Sequence, residues 1–222
     1  ACQLRPTQPI AVNLLLRPEK AAVKKSEEAQ GVERTLAVLF LDVRGFTSMS
    51  EDKLPYDVVY ILNSLFAAIG AAIHEEGGWI DKYLGDGLMA VFGRDSDAED
   101  GCRRAIRAAK RIDTALDRVN RELESELQAP LRLGIGLHVG SLVLGEIGHD
   151  RTAAMTVIGK TVNAASRLEA ATKELKCQFA MSADAAIMAG LDLTEFETRP
   201  ITVRGLKKPL QVITVGSARD LP

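Results

Sequence analysis

The sequence predicts an α+β fold in which helices cover a mixed β-sheet. Strand-like and helix-like patterns alternate along the chain, and several neighbouring strand-like segments are separated by short turns that favour hairpins. The chain has 222 residues, of which 46% are apolar, and this is enough for one sizeable domain that needs no disulfide to form a core.

The N-terminal half of this domain begins with a strand. Residues 35–43 form a run of β-branched and bulky apolar residues too short for a helix, which predicts a strand buried on both faces. From Pro55, apolar residues recur three and four positions apart until Gly77, as expected of a helix with a glycine stop. Residues 79–92 then contain two strand-like pieces around the D-G turn at Asp86, which predicts a hairpin.

The C-terminal half starts with an amphipathic helix. Apolar residues from Ile106 to Leu127 line one face of a helix of roughly 30 residues, which Pro130 ends. Beyond it we expect a short helix, two closing strands around the turn at 205–209, a longer helix at 162–173, and strands at 131–139, 142–147, 155–158 and 178–181.

Composition excludes several classes of protein. The 28 basic and 30 acidic residues give a net charge of −2, with no basic stripe for nucleic acid and no polybasic patch for a membrane. The most apolar stretch, residues 58–73, is interrupted by two polar residues and is shorter than the ~20 residues that a membrane span needs. The three cysteines lie far apart and predict neither a disulfide framework nor a zinc site. We therefore expect a cytoplasmic location, either free or on the cytoplasmic face of a membrane protein.

Two aspartates are notable for their positions. Asp42 ends the first predicted strand, and Asp86 lies at the tip of the hairpin. An aspartate at either place is usually a turn former. Two carboxylates that converge from adjacent strands can instead bind Mg²⁺, which takes oxygen ligands and bridges to substrate phosphates. The residues alone leave both interpretations open.

Three sequence motifs resemble the successive signatures of class III nucleotidyl cyclases. They read FLDVRGFT at 40–47, KYLGDG at 82–87 and TVIGKTVNAASRL at 156–168, in the family's order and spacing. The resemblance extends over residues 33–216 and implies the nucleotide cyclase fold, a ferredoxin-like βαββαβ core with a mixed, largely antiparallel sheet and extra C-terminal strands. It also implies a head-to-tail homodimer with active sites in the interface.

The resemblance assigns roles to the motif residues. Asp42 and Asp86 would bind two Mg²⁺ or Mn²⁺ ions, one lowering the pKa of the ribose 3′-hydroxyl and the other holding the triphosphate. Arg167 would stabilise the charge that develops on the phosphoryl group, and Asn163, four residues earlier on the same helix face, would orient the ribose. The two aspartates of each site would come from one protomer, and the remaining residues from its partner.

The resemblance also gives purine recognition to Lys82 and Thr156. Lys82 offers only donors, which suit adenine N1 and oppose the N1–H of guanine, so ATP is favoured. The hydroxyl of Thr156 can accept from the adenine amino group or donate to guanine O6, so it discriminates less sharply than the aspartate common at this position. Threonine here also resembles the subgroup that contains bicarbonate-responsive cyclases.

Further candidates lie at the margin of the predicted site. Phe46, Thr47 and the backbone N–H groups around them are candidates for phosphate binding at the start of a helix. Arg204 resembles part of a closing basic segment that reaches the phosphates.

The resemblance divides the chain into three parts. Residues 1–18, with Cys2, resemble the end of a two-iron ferredoxin domain, residues 19–34 form a linker, and residues 35–218 form the catalytic domain. We interpret the chain as a fragment, in which case any iron–sulfur cluster would belong to the missing upstream region.

These observations predict an adenylate cyclase that converts ATP to 3′,5′-cyclic AMP and pyrophosphate and works as a homodimer without a nucleic-acid partner. One alternative is a guanylate cyclase that uses the same machinery with a different purine. Another is a non-catalytic module that senses a nucleotide or bicarbonate. A diguanylate cyclase is not favoured, because the turn at 85–87 lacks the G-G-[DE]-[DE]-F sequence.

Overall fold

The computed structural model describes residues 31–149, 153–203 and 208–222. Their helices and strands follow in the order β1 (Val32–Val43), α1 (Phe46–Glu51), α2 (Pro55–Glu75), β2 (Trp79–Leu84), β3 (Gly87–Phe92), α3 (Ala98–Glu122), β4 (Leu133–Ile147), β5 (Ala154–Ile158), α4 (Lys160–Glu174), β6 (Phe179–Ser182), α5 (Ala183–Ala189), β7 (Thr198–Ile201) and β8 (Leu210–Val215). The predicted ferredoxin-like end with Cys2, most of the linker, and Arg204 lie outside the described residues.

All eight strands form one sheet in the order β2-β3-β1-β4-β6-β8-β7, with β5 added to β4. The four strands β2, β3, β1 and β4 pair antiparallel, and with α2 and α3 they form the βαββαβ core that the resemblance implied. The parallel pairing of β4 with β6 makes the sheet mixed. The predicted fold class is therefore confirmed, and the closing strands β7 and β8 extend the sheet at one edge.

Strand β1 lies at the centre of the sheet and is buried on both faces, as its apolar run predicts. The odd-numbered residues of β1 from 37 to 43, including Leu39, pack in a cluster with α2 and α3. The even-numbered residues from 36 to 40, including Val38, pack in a second cluster, which includes Ala165 of α4. Helix α4 therefore covers the face opposite α2 and α3. Because side chains alternate along a strand, Asp42 lies on the same face of β1 as Val38, which is the face that α4 covers.

Helix α4 lies close to the sheet because β4 has a glycine beneath it. A Cβ atom on Gly136 would come within 2.2 Å of the backbone nitrogen of Glu169 and 2.6 Å of the carbonyl oxygen of Ala165. No side chain fits in that space. Gly136 thus fixes the distance between the sheet and the helix that carries Asn163 and Arg167.

Helix α2 is long and apolar enough to cross a membrane by length and composition, the one such helix among the residues that the structure describes. One stripe of it is buried in the core, consisting of Ile61, Leu65, Ile69 and Ile73. This stripe repeats at the spacing expected for a helix that covers a sheet.

Several element boundaries differ from the sequence-based predictions, and β1 already begins at Val32, inside the predicted linker. The strands predicted at 131–139 and 142–147 are one strand, β4, because Gly140 and Ser141 stay in register with β1 instead of forming a turn. Helix α3 ends at Glu122, well before Pro130. Leu123 beyond its end remains buried, so the apolar pattern continues past the last helical turn and cannot mark it.

Candidate active site

Lys82 and Thr156, 74 residues apart in sequence, lie in direct contact, and Lys82 Nζ donates a hydrogen bond to Thr156 Oγ1 at 2.9 Å. Asp81 joins the pair, because Thr156 Oγ1 donates to Asp81 Oδ2 at 2.9 Å. Lys82 Nζ also lies 3.1 Å from that same carboxylate oxygen. The two residues predicted to recognise the purine therefore meet within one chain, together with a third residue that the sequence analysis did not identify.

A β-bulge in β2 makes this cluster possible. Ile80 pairs with Ala90 and Lys82 with Met89, so Asp81 is an extra residue with no partner in the ladder. Adjacent residues of a regular strand point to opposite faces, whereas a bulge re-aims a side chain. Here both Asp81 and Lys82 reach Thr156 on β5. The Asp81 side chain is fully buried, while that of Lys82 is 43% exposed and accessible to a ligand.

Asp42 and Asp86 converge at the end of β1. Asp42 is paired with Gly87 in the β1–β3 ladder, and Asp86 directly precedes that glycine in the hairpin turn. Burial raises the pKa of Asp42 and the Asp86 carboxylate raises it further, while the charge of Arg44 only partly offsets both. The two carboxylates are therefore close enough to repel each other.

The absence of a side chain at Gly87 permits this approach. A Cβ atom there would lie 2.5 Å from the carbonyl oxygen of Leu41 and 2.9 Å from Asp42 Oδ1. Backbone cannot move aside as the end of a flexible side chain can. The GDG turn therefore places Asp86 and at the same time leaves room for the Asp42 carboxylate.

The carboxylate pair suits a divalent cation that substrate phosphates help to bind. Among residues 31–149, 153–203 and 208–222, no group of three or more His, Cys, Asp or Glu side chains could hold a metal ion alone. Mg²⁺ is usually bound through one or two carboxylates plus phosphates, and carboxylates suit Mn²⁺ as well. A bound cation would also relieve the repulsion between Asp42 and Asp86. This donor set fits Mg²⁺ or Mn²⁺.

Asn163 and Arg167 lie one turn apart on the exposed side of α4. Within the part of the chain that the structure describes, neither side chain forms a hydrogen bond or an ion pair. They therefore share a helix face, as predicted, but in the described part of one chain they form no hydrogen bond or ion pair with Asp42, Asp86, Lys82 or Thr156.

The start of α1 is open, as a phosphate-binding helix terminus needs to be. No side chain caps this helix, which begins at Phe46 directly after Gly45. Phe46 packs partly against the core, while Thr47 is exposed. The assignment of Phe46 and Thr47 to phosphate binding stays a prediction.

Arg44 and Glu169 form a link that the sequence analysis missed. Arg44 Nη2 lies 3.0 Å from Glu169 Oε1, donates to the Glu169 carbonyl oxygen at 3.1 Å, and contacts the hydroxyl of Thr172. Arg44 is part of the FLDVRGFT motif, but nothing in the sequence indicates a partner 125 residues away. The reason for missing Asp81 is different. The sequence shows that Asp81 precedes Lys82, but it does not show the β-bulge that directs the Asp81 side chain toward Thr156.

Comparison with known families gives a match over most of the chain. Residues 28–215 match the adenylate and guanylate cyclase catalytic domain family. This range contains all of the candidate residues discussed above, and it starts close to β1 and ends with β8.

Two curated relatives illustrate the match. An adenylate cyclase from Anabaena cylindrica is 39% identical over 159 residues, which are 70% of this chain and 31% of that protein. A terminal-differentiation-specific adenylate cyclase from Dictyostelium discoideum is 30% identical over 185 residues, which are 82% of this chain and 9% of that protein. The chain thus spans less than a third of the length of either relative.

Solved structures match over the length of a whole cyclase domain. The guanylyl cyclase Cya2 superimposes with a TM-score of 0.75 and 32% identity, over 84% of this chain and 94% of that one. The adenylyl cyclase CyaB from P. aeruginosa gives a TM-score of 0.74 and 27% identity, over 86% of this chain and 99% of that one. The predicted fold is that of both.

Proposed function

Because this chain belongs to the adenylate and guanylate cyclase catalytic domain family, we propose that it converts ATP to 3′,5′-cyclic AMP and pyrophosphate. The contact between Lys82 and Thr156 carries the proposal. It places the ammonium of the partly exposed Lys82, which is a hydrogen-bond donor, next to the hydroxyl of Thr156. A purine edge can meet both groups there. An ion pair with a purely structural role would not require the threonine.

In the reaction the ribose 3′-hydroxyl loses its proton to solvent and its oxygen bonds to the α-phosphorus. The bond from that phosphorus to the oxygen that bridges to the β-phosphate breaks, and pyrophosphate leaves. Asn163 orients the ribose, and Arg167 stabilises the negative charge that grows at the phosphoryl centre, where a fixed cation acts most strongly on the transition state. The N–H groups at the start of α1, around Phe46 and Thr47, bind phosphate oxygens.

Asp42 and Asp86 bind the divalent cations. When bound, Mg²⁺ or Mn²⁺ supplies positive charge that neutralises the triphosphate and lowers the pKa of the 3′-hydroxyl. Burial and the neighbouring Asp86 carboxylate both raise the pKa of Asp42, and a bound cation would offset that repulsion.

A homodimer completes each site, because among the described residues the side chains of Asn163 and Arg167 form no hydrogen bond or ion pair with Asp42 or Asp86 of the same chain. Two exposed apolar patches support such an assembly. We define the hairpin patch as Leu54, Tyr56, Val59, Tyr60, Tyr83 and Leu84, and the β4–β5 patch as Val143, Ile147 and Ile158. In a two-fold dimer, the hairpin patch of each protomer can cover the β4–β5 patch of its partner.

The direct test is an assay of cyclic nucleotide and pyrophosphate formation with ATP and, separately, with GTP, in the presence of Mg²⁺ and of Mn²⁺. We expect stoichiometric cyclic AMP and pyrophosphate from ATP. Asp42→Ala and Arg167→Ala should each be nearly inactive, whereas Lys173→Ala, which removes another exposed cation of α4, should retain activity. Absence of cyclic AMP and cyclic GMP under all conditions would refute the proposal.

Mixing two inactive variants tests the shared site. In a heterodimer of Asp42→Ala with Arg167→Ala, both substitutions fall in one site and the other site is intact. Random exchange of subunits should therefore restore roughly a quarter of the wild-type rate per protein. Inactivity of the mixture, with heterodimers demonstrated by affinity tags, would contradict composite sites.

Guanylate cyclase activity is the second candidate, and the specific observation that favours it is the 32% identity to the guanylyl cyclase Cya2. Competition between ATP and GTP in a single reaction separates the two. Stimulation by bicarbonate, a cytoplasmic location and an upstream iron–sulfur module stay predictions.

A further inference from the structure

We propose that Asp81 fixes the proton of the Thr156 hydroxyl and thereby makes the purine pocket selective for adenine. The inference rests on the proposed function, because it concerns the purine site of that reaction. Asp81 does not itself face the purine, since its side chain is fully buried. It is a positioning residue that acts through Thr156 and Lys82.

The hydrogen bonds of Lys82 leave a donor for the ligand. An ammonium has three N–H donors and no acceptor. One is directed to Thr156 Oγ1 at 2.9 Å, and another to Asp81 Oδ2 at 3.1 Å. The remaining N–H belongs to the exposed part of the side chain. Lys82 therefore presents one donor to a purine.

The hydrogen bonds of Thr156 leave an acceptor. A hydroxyl has one proton and two acceptor sites. The neighbours of Thr156 are a carboxylate, which only accepts, and an ammonium, which only donates, so the roles in the cluster are unambiguous. The proton lies on the 2.9 Å bond to Asp81 Oδ2, and Lys82 occupies one acceptor site. The second acceptor site is what Thr156 has left for a purine.

The pair therefore presents one donor and one acceptor side by side. Adenine carries the complementary pattern, with N1 as an acceptor next to the donor N6–H₂. Guanine carries the reverse, with N1–H as a donor next to the acceptor O6. Without Asp81, the Thr156 hydroxyl could rotate and donate to O6. With Asp81, this rotation removes one of the two hydrogen bonds that the buried Oδ2 accepts and leaves it with Lys82 alone, which is unfavourable.

The burial of Asp81 makes it a rigid reference for this proton. Its other oxygen, Oδ1, is buried and has no hydrogen-bond partner among the described atoms. A carboxylate in that state depends on the bonds that Oδ2 makes to Lys82 and Thr156, and it cannot turn toward solvent. The β-bulge that inserts Asp81 into β2 is then the feature that adds purine selectivity to the hairpin.

The test compares kcat/KM for ATP with kcat/KM for GTP in the wild type and in Asp81→Ala. Releasing the Thr156 proton should lower the ATP:GTP ratio about tenfold, the usual effect of one hydrogen-bond mismatch at a buried site. Inosine triphosphate, which has the same N1–H and O6 as GTP but no 2-amino group, should gain in the same way. A purely structural role would lower turnover of all three substrates in parallel and leave the ratios unchanged.

Two further variants isolate the mechanism. In Asp81→Asn the amide oxygen should stay at the Oδ2 position, because the amide N–H groups would otherwise face the Lys82 ammonium, and the ATP:GTP ratio should be largely retained. In a Thr156→Val background there is no proton to fix, so Asp81→Ala should not change the ratio further. Thermal unfolding of every variant shows which of them are folded.

Binding measurements separate failure of this inference from failure of the proposed function. Calorimetric titration with α,β-methylene ATP and α,β-methylene GTP reports purine preference whether or not catalysis occurs. An unchanged ratio of the two affinities in folded Asp81→Ala overturns the role of Asp81, even if the wild type is an active cyclase. A wild type that prefers the ATP analogue but forms no cyclic nucleotide overturns the proposed function. In that case, loss of the preference in Asp81→Ala still supports the role of Asp81, and an unchanged preference overturns it.

Discussion

Arg44, just beyond the end of β1, forms a largely buried ion pair with Glu169 of α4, with 3.0 Å between Nη2 and Oε1. Burial raises the pKa of Glu169, and the hydrogen bond and charge of Arg44 oppose that increase. The pair connects the strand that carries Asp42 to the helix that carries Arg167. The ion pair therefore holds the end of β1 against α4.

Removing one member of this pair should be strongly destabilising. Arg44→Ala leaves the Glu169 carboxylate buried without its counter-ion, so we expect a loss of about 3 kcal/mol in the free energy of unfolding, measured with urea. The double variant Arg44→Met/Glu169→Leu should recover most of that loss. Arg199, which pairs with Glu197 at 3.1 Å on the surface, is the matched control. Its replacement by alanine should cost much less than that of Arg44, and equal losses at both sites would contradict the argument.

The repulsion between Asp42 and Asp86 should make the metal-free protein less stable than it could be. The folded state holds the Asp42 proton more tightly than the unfolded state does. The stability that protonated Asp42 contributes is therefore greatest at low pH and is lost as pH rises through the raised pKa. Asp42→Asn should therefore raise the Tm of the metal-free protein at neutral pH. The measurement is thermal unfolding in EDTA.

Adding metal should reverse the order of stability, so that the wild type becomes more stable than Asp42→Asn. Excess Mg²⁺ or Mn²⁺ should raise the Tm of the wild type by mass action, because the cation binds the folded state. The Tm of Asp42→Asn should hardly respond. Asp52→Asn, an exposed carboxylate at the end of α1, should behave as the wild type does. A metal-dependent increase in Asp42→Asn equal to that of the wild type would exclude Asp42 as a ligand.

The two apolar patches should be the surfaces that hold the dimer together. Leu84→Asp in the hairpin patch and Ile158→Asp in the β4–β5 patch should each shift sedimentation toward the monomer, because each places a charge in an apolar interface. Cyclase activity should fall with dimer content and should recover at higher protein concentration. Ile187→Asp, at an exposed apolar residue of α5 outside both patches, should leave the dimer intact. Sedimentation of all three variants as dimers would rule out these surfaces.

The order of the elements could be predicted because periodic apolar patterns are local. The central strand, the α2 stripe and the hairpin around Asp86 each follow from residues near one another in sequence. The break predicted near Gly140 was wrong because a glycine and a serine read as a turn, and only pairing with β1 shows that they continue the strand. The end of α3 was missed because Leu123 stays buried outside the helix.

The candidate site residues also fall into two groups, those that the sequence could identify and those that it could not. Asp42, Asp86, Lys82 and Thr156 were found from motifs, and the structure brings each of the two pairs together. Asp81 could not be assigned because a one-residue bulge, invisible in the sequence, determines its direction. Glu169 could not be assigned because an ion pair across 125 residues leaves no local pattern.

Asp113 of α3 should be a source of acid sensitivity outside the active site. Its Oδ1 accepts a hydrogen bond from Gln178 at 2.7 Å, and its Oδ2 accepts from Arg219 at 2.8 Å and from the hydroxyl of Ser217. Burial alone would raise the pKa of Asp113, but these three hydrogen bonds and the charge of Arg219 lower it below 3.8. The cluster ties the C-terminal segment to α3.

The sign of the pH dependence follows from the lowered pKa. The unfolded chain takes up a proton near pH 3.8, before the folded protein does, so the stability that Asp113 contributes is present above that pH and is lost as pH falls below it. Asp113→Asn should lower the free energy of unfolding at pH 7 by about 2 kcal/mol, because an amide N–H would face one of the three donors. Below pH 4 its stability should fall less steeply than that of the wild type. Asp117→Asn, which removes the more exposed partner of Arg219, should change neither quantity appreciably. Urea denaturation of the three proteins between pH 3 and pH 7 tests this, and parallel pH profiles for the wild type and Asp113→Asn would show that the acid sensitivity originates elsewhere.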